Sequence, residues 1–297
     1  MSLDYEDRNP MRTKIYRTLG QGLSIFHEAQ DPDIDIVAIP RLGANPEESW
    51  TWTSSKGGPG RSIAAYWQTP ENTETPQQDS QAKKEFNWIR DKDGLASLYP
   101  KSRVMLYDYA SAWQGSRKVR ATMKSICIWL LDDLSERRKS PTEITRPLIF
   151  IGHSMAGIII AKTWCMAKAR KEFEAILTCT VGCVFLGAPF EGSSMARVAL
   201  AYSSVFGSEA YEALLSFMQT GNNDTLDEVR EDFVEICNNL DPSIELLCEW
   251  EQVATDASYA ARITDNAPRL LQHKAFTAGI RAVLDLSIRQ GTVSVTA

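Results

Sequence analysis

Ser154 sits in the run Phe150-Ile151-Gly152-His153-Ser154-Met155-Ala156-Gly157, directly after an apolar stretch of strand type and directly before one of helix type. A serine on a tight strand-to-helix turn presents its Oγ above a sheet, and small residues two positions either side keep strand and helix from colliding. Gly152 and Ala156 fill those places; the usual pattern has glycine at the second, and alanine is the next smallest choice. The helix that follows aims backbone N–H groups, that of Met155 first, at an oxyanion forming on an attacked carbonyl. The chemistry this predicts is nucleophilic acyl transfer, which needs a base. The chain has three histidines, His27, His153 and His273. His153 lies inside the turn, where it points away from the nucleophile, and His27 precedes the first parallel strand. Behind an elbow of this kind the chain order is serine, acid, histidine, and only His273 satisfies it. Glu249, Glu251, Asp256 and Asp265 all lie between the last expected strand and His273, so the residues alone leave the acid open.

Other chemistries find less support. The run Gly57–Ser62 (GGPGRS) lacks the spacing and lysine of a phosphate loop, and no GxGxxG follows a strand. Cys127, Cys165, Cys179, Cys183, Cys237 and Cys248 are scattered through apolar segments without CxxC spacing and read as reduced core thiols. No His/Cys/Asp cluster has metal spacing, so neither a metal nor a cofactor is expected. A formal net charge of -6 with 24% charged residues argues against nucleic acid as a partner and against disorder. The polar stretch Met1–Arg12 has no apolar signal core, and no run of about eighteen apolar residues occurs, so a soluble cytoplasmic protein without stable membrane insertion is expected.

The elements that must position Ser154 follow from an alternation of short β-branched runs with helical patterns, the mark of an α/β fold with a mostly parallel sheet. Strands are expected at Ile34–Ile39, Arg103–Tyr109, Pro147–Gly152, Thr180–Leu186 and Ile244–Cys248, with Gly22–His27 as an antiparallel edge. Helical spacing marks Arg117–Leu134 and Ala156–Lys168 as crossovers. The 297 residues, 43% of them hydrophobic, suit one domain over 22–297 after an N-terminal extension, 1–21. Residues 53–84, rich in Gly, Pro, Ser, Thr and Gln, predict a long polar loop. Two helical patterns within 199–240 predict a cap. Its Tyr202, Phe206, Tyr211, Leu214, Leu215, Phe217 and Met218 would line an apolar acyl or aromatic pocket. Trp50, Trp52, Trp67 and Trp88 pack the base of the loop or a pocket mouth, with core packing the readier reading.

Five blocks in linked order, IDIVAIPRLGANPEESWTW, WIRDKDGLASLYPKSRVMLYDYASAW, IGHSMAGIIIAKTW, VFLGAPFEGSSMA and LLQHKAF, resemble the serine esterase/lipase-like α/β-hydrolases of the SERAC type. These are common in fungi, including as N-terminal domains of NACHT-type receptor proteins. The resemblance spans about residues 22–285 and implies an α/β-hydrolase fold with helices on both faces and a small-molecule ester or acyl substrate. It implies Glu251, in Cys248-Glu249-Trp250-Glu251, as the acid, with Asp256 the alternative, and the backbone N–H of Leu42 as second oxyanion donor beside Met155. This chain departs from the family at the mouth. Pro40-Arg41 stands where the family has His-Gly, and Phe190-Glu191 where it has His-Arg. Arg41 disfavours positive φ, which predicts a differently shaped oxyanion loop. Arg41, Phe190, Tyr211 and Phe217 are the expected substrate-binding residues. Two other readings stay open: a signalling or scaffold domain that keeps the fold, and a Ser–His enzyme running C–C cleavage or cyclisation.

Overall fold

The computed structural model describes residues 22–44, 46, 48–53, 85–89, 91, 94–109, 121–192, 209–219, 224–240 and 244–249. The expected extension 1–21 and, apart from Thr53, the expected loop 53–84 lie outside them. Four apolar runs form the centre of a six-stranded sheet: β2 (Ile34–Ile39), β5 (Ser102–Asp108), β6 (Leu148–His153) and β7 (Thr180–Leu186). All residues of β2, β6 and β7 are buried, as strands covered on both faces must be. The edges are β1 (Gly22–Glu28) and β8 (Glu245–Glu249), where half-buried and exposed residues alternate in β8. The order is β1-β5-β2-β6-β7-β8, with β1 antiparallel to β5 and every other pair parallel. The expected strands are all present, with ends within about one residue of those read from the sequence. A separate two-stranded ribbon joins β3 (Thr51–Thr53) to β4 (Glu85–Asn87).

Two cores flank the sheet. Between β4 and β5 lies the one-turn α1 (Leu95–Leu98). Its Leu95 packs with Trp50, Trp88 and Tyr99 on one face, against Ile34, Ile36, Val104, Ile149 and Val184. The Trp50 and Trp88 rings lie 6.2 Å apart and both are buried, so these two indoles fill core, the readier of the two expectations. The opposite face carries α2 (Met123–Arg137), α4 (Met155–Lys168), α6 (Glu209–Ser216) and α7 (Asp224–Asn239), with the single turns α3 (Pro141–Ile144) and α5 (Glu174–Thr178) between them. Thr122 starts α2 by accepting the Ser125 N–H at 3.2 Å, later than the Arg117 start read from spacing; residues 110–120 lie outside the described ones. α4 is apolar on nearly every side because it is buried on nearly every side.

The segment expected to cap the site contributes to this same core. Leu214, Leu215 and Met218 around α6, and Leu226, Val229, Phe233 and Ile236 of α7, are buried there. Phe233 sets its ring 5.3 Å from that of Trp164 in α4. α7, which precedes β8 in the chain, thus packs on α4 and on Phe185 of β7, and its apolar stripe is spent on that packing.

At the N-terminal ends of β2 and β5, Asp35 is wholly buried and meets three guanidiniums. Arg103 grips it with Nε and Nη2, each at 2.8 Å; Arg146 donates at 3.1 Å and Arg138 also donates to it. Arg103 bonds Glu143 at 2.9 Å as well, and lies 3.6 Å from Glu28. Glu143 in turn closes a capping box with Ser140 at the start of α3. Those Ser140 bonds first, then Arg103, hold the Glu143 carboxyl down to about 2. On the β1 edge, the Leu23 N–H donates to Asp133 of α2 at 2.8 Å and the Leu23 C=O accepts from Arg137 at 3.0 Å. Among the described residues no helix is long and apolar enough to cross a membrane.

Candidate active site

β6 is the central strand, and the chain turns at its end through Ser154 into α4. Ser154 has φ 55° and ψ -123°, and among the described residues it is the only non-glycine at positive φ. A side chain is held in that region only when its surroundings over-determine it. Here they do: the Ser154 N–H donates to Leu186 at the end of β7 at 2.7 Å, and the Ser154 C=O accepts from Gly157 at 3.0 Å.

The small residues around the turn are sterically required. A Cβ on Gly152 would lie 2.6 Å from the end of Ile160 and 3.0 Å from the Ala156 carbonyl carbon. One on Gly157 would lie 2.3 Å from the Ala188 Cβ, in the loop after β7. Gly152 and Ala156 were legible as the flanking pair; Gly157 is a third position, marked in sequence only by the continuation of the small run.

Although Ser154 is the N-cap of α4, its side chain makes no capping bond, so the half-buried Oγ is left for other work. The Met155 N–H is the first of the helix and has no intrahelical acceptor, while the Met155 side chain is fully buried. No acidic residue stands in the first turn of α4 to offset the positive end of the helix.

Next to β6, β2 runs parallel with Ile39 opposite Gly152, which brings the end of β2 to the level of the elbow. There Pro40 is held by the buried Tyr109, whose hydroxyl donates to the Pro40 C=O at 3.1 Å. Residues 41–44 form a turn in which the Ala44 N–H donates to the Arg41 C=O at 3.3 Å. Arg41 has no positive φ; Gly43 takes it, at 80°. The positive φ of this loop thus falls at Gly43, where a turn with left-handed third residue favours glycine. Leu42, between them, buries its side chain.

His153 is buried, and burial first, then the Arg41 charge, pushes its imidazole down to about 3, so it is neutral at physiological pH. Among the described residues its Nδ1 has no hydrogen-bond partner. His27 pairs with Val104 at the other end of the sheet, close to the Asp35 cluster. His273, Glu251 and Asp256 lie outside the described residues. Of the expected substrate-binding residues, Arg41 stands beside the elbow. Phe190 is half-buried in an aromatic group, edge-on to Phe185 at 5.2 Å and stacked on Phe233 at 6.4 Å. Phe217 follows α6 and packs against the core, and Tyr211 lies in α6. Among the described residues no group of His, Cys, Asp and Glu is arranged to hold a metal.

The strand order, the antiparallel first strand and a strained serine between the central strand and its helix are those of the α/β-hydrolase fold. No family model matches the chain. It is similar to Protein SERAC1 of Mus musculus, 29% identical over 132 residues, and of Bos taurus, 26% identical over 106 residues. These matches take in 41% and 36% of this chain but only 20% and 16% of the relatives, so the chain spans about a fifth or less of their length. Among solved structures, brefeldin A esterase aligns over 92% of this chain and 76% of its own, with 12% identity and a TM-score of 0.42. Esterase B from Lactobacillus rhamnosis aligns over 90% and 79%, also with 12% identity and a TM-score of 0.42. The fold assignment rests on the strand order and the elbow, to which likenesses at this level add nothing.

Proposed function

We propose that the protein is a serine-dependent carboxylic ester hydrolase. The observation that carries this reading is the backbone of Ser154, a non-glycine residue kept at positive φ with its Oγ uncapped at a helix N-terminus. In this reading Ser154 Oγ attacks the ester carbonyl while His273 takes its proton, and Glu251, or Asp256 in its place, orients the imidazole. The Met155 and Leu42 N–H groups receive the oxyanion. The alcohol leaves with the proton from His273, and water then releases the acid and restores the serine. The assignment of the base is supported by where the other two histidines lie: His153 is buried and neutral, and His27 is at the far end of the sheet. A reducing compartment such as the cytoplasm suits the chain. All six cysteines are free, and burial pushes Cys127 up to about 12 and Cys165 and Cys237 to about 11, so they stay protonated and unreactive.

Fluorophosphonate labelling tests this directly. Wild type is expected to label and to turn over p-nitrophenyl esters, with both lost in Ser154→Ala and in His273→Ala, by about 10³-fold or more in rate. Ester turnover that survives Ser154→Ala unchanged sinks the assignment; a wild type that never labels shifts the fold to a binding or signalling role.

A further inference from the structure

Ester hydrolysis as described makes no use of Arg41. The pairing of β2 with β6 ends at Ile39 opposite Gly152, and Arg41 and Ser154 each lie two residues past that last pair, at the same end of the sheet. The strands they follow lie about 4.8 Å apart, a spacing shorter than an arginine side chain. Arg41 is half-buried, and among the described residues its guanidinium has neither a carboxylate nor a hydrogen-bond acceptor. The contrast with Arg103, Arg138 and Arg146, which share Asp35, is complete. Its charge is felt at the elbow, where it adds to burial in keeping His153 neutral. The first turn of α4 contributes the positive end of a helix dipole and no acid to cancel it. In a chain of net charge -6, the positive charge that the described residues place beside Ser154 is local and not a general property of the chain.

We propose that Arg41 is a specificity-determining residue that pairs with an anionic group, a carboxylate or a phosphate, carried by the ester a few bonds from its scissile carbonyl. The inference rests on the ester-hydrolase reading and names the class of substrate it takes. A guanidinium lacking a partner among the described residues offers two parallel N–H donors to such a group, a charge-assisted pair that a neutral ester cannot form. His153, being neutral, neither competes for the anion nor repels Arg41.

The test compares matched esters: p-nitrophenyl hexanoate, mono-p-nitrophenyl adipate and p-nitrophenyl 5-phosphonopentanoate, the last two separating carboxylate from phosphate recognition. The readout is the ratio of kcat/KM for each anionic ester to that for the neutral one. Wild type is expected to favour at least one anionic ester, and Arg41→Gln to lower that ratio about 10- to 100-fold, with Arg41→Lys between them. Rising salt is expected to erode the wild-type ratio. That salt series and Arg41→Lys serve as the test if Arg41→Gln does not fold. The same ratio in wild type and Arg41→Gln, with Ser154 labelling intact, overturns the proposal and leaves the hydrolase standing. A wild type that neither labels nor turns over any ester overturns both.

Discussion

The two ends of one sheet treat charge in opposite ways. At the N-terminal ends of β2 and β5, three guanidiniums, Arg103, Arg138 and Arg146, are matched by three carboxylates, Asp35, Glu143 and Glu28. At the C-terminal ends of β2 and β6, Arg41 has no such partner among the described residues, Ser154 caps nothing, and His153 leaves a ring nitrogen unpaired. His27 at the base also has an unpaired ring nitrogen, so the contrast lies in the charged groups: paired charges rigidify, and an unpaired one is a cost that a bound partner would offset. The base is a fastening and the top is the candidate site. The top tolerates its strain because the Ser154 N–H bond to the Leu186 C=O and the Tyr109 hydroxyl bond to the Pro40 C=O tie both halves of the elbow to the sheet.

The largest expected effect comes from opening the base. Asp35→Ala leaves three arginines facing a void, and breaking a buried pair from one side costs about 3–5 kcal/mol, to be read from urea unfolding. The fluorophosphonate labelling rate of the protein that remains folded is expected to change little. A labelling rate that collapses while the fold survives breaks the division between the two ends.

At the top, Gly157→Ala drives a methyl into Ala188 and is expected to cost about 1–3 kcal/mol, with slower labelling of Ser154 because the elbow shifts. Adding Ala188→Gly is expected to recover most of both losses. Recovery of neither in the double-mutant cycle means the contact does not set the elbow.

The smallest effect is a pH dependence at the base. Glu143 is held at about 2, below its ordinary 4.5, so its pairing stabilises the fold fully above the ordinary value and is lost as pH falls towards 2. Glu143→Gln is expected to lower the unfolding midpoint at pH 7, with the gap to wild type closing between about pH 4.5 and 2. A gap that stays constant across that window removes Glu143 from the network.

How much of this was legible in the sequence depended on distance along the chain. The strand runs carry their own burial pattern, and the elbow is a local motif, so β2, β6, β7 and Ser154 could be read directly. Asp35 could not: inside IDIVAI it looks like a lapse in an apolar strand, and its partners lie 68, 103 and 111 residues away. Gly157 abuts a residue beyond the next strand, a contact with no local signature. Phe190, placed by sequence at the pocket mouth, shares its ring faces with Phe185 and Phe233, the second of which sits in a helix first read as part of a cap. The turn at Gly43 shows the limit of comparing single positions: the residue at 41 departs from the resembled pattern, yet glycine is present where the backbone needs it.

The bonds from Asp133 and Arg137 to the backbone of Leu23 bear on how this protein meets other copies of itself. An outermost strand normally offers free N–H and C=O groups to any passing extended chain, which is the route to strand exchange and aggregation. At Leu23 both groups are occupied by side chains of α2, so the first strand is closed to extension there. At that residue, the helix that covers the core also stands in the way of strand addition.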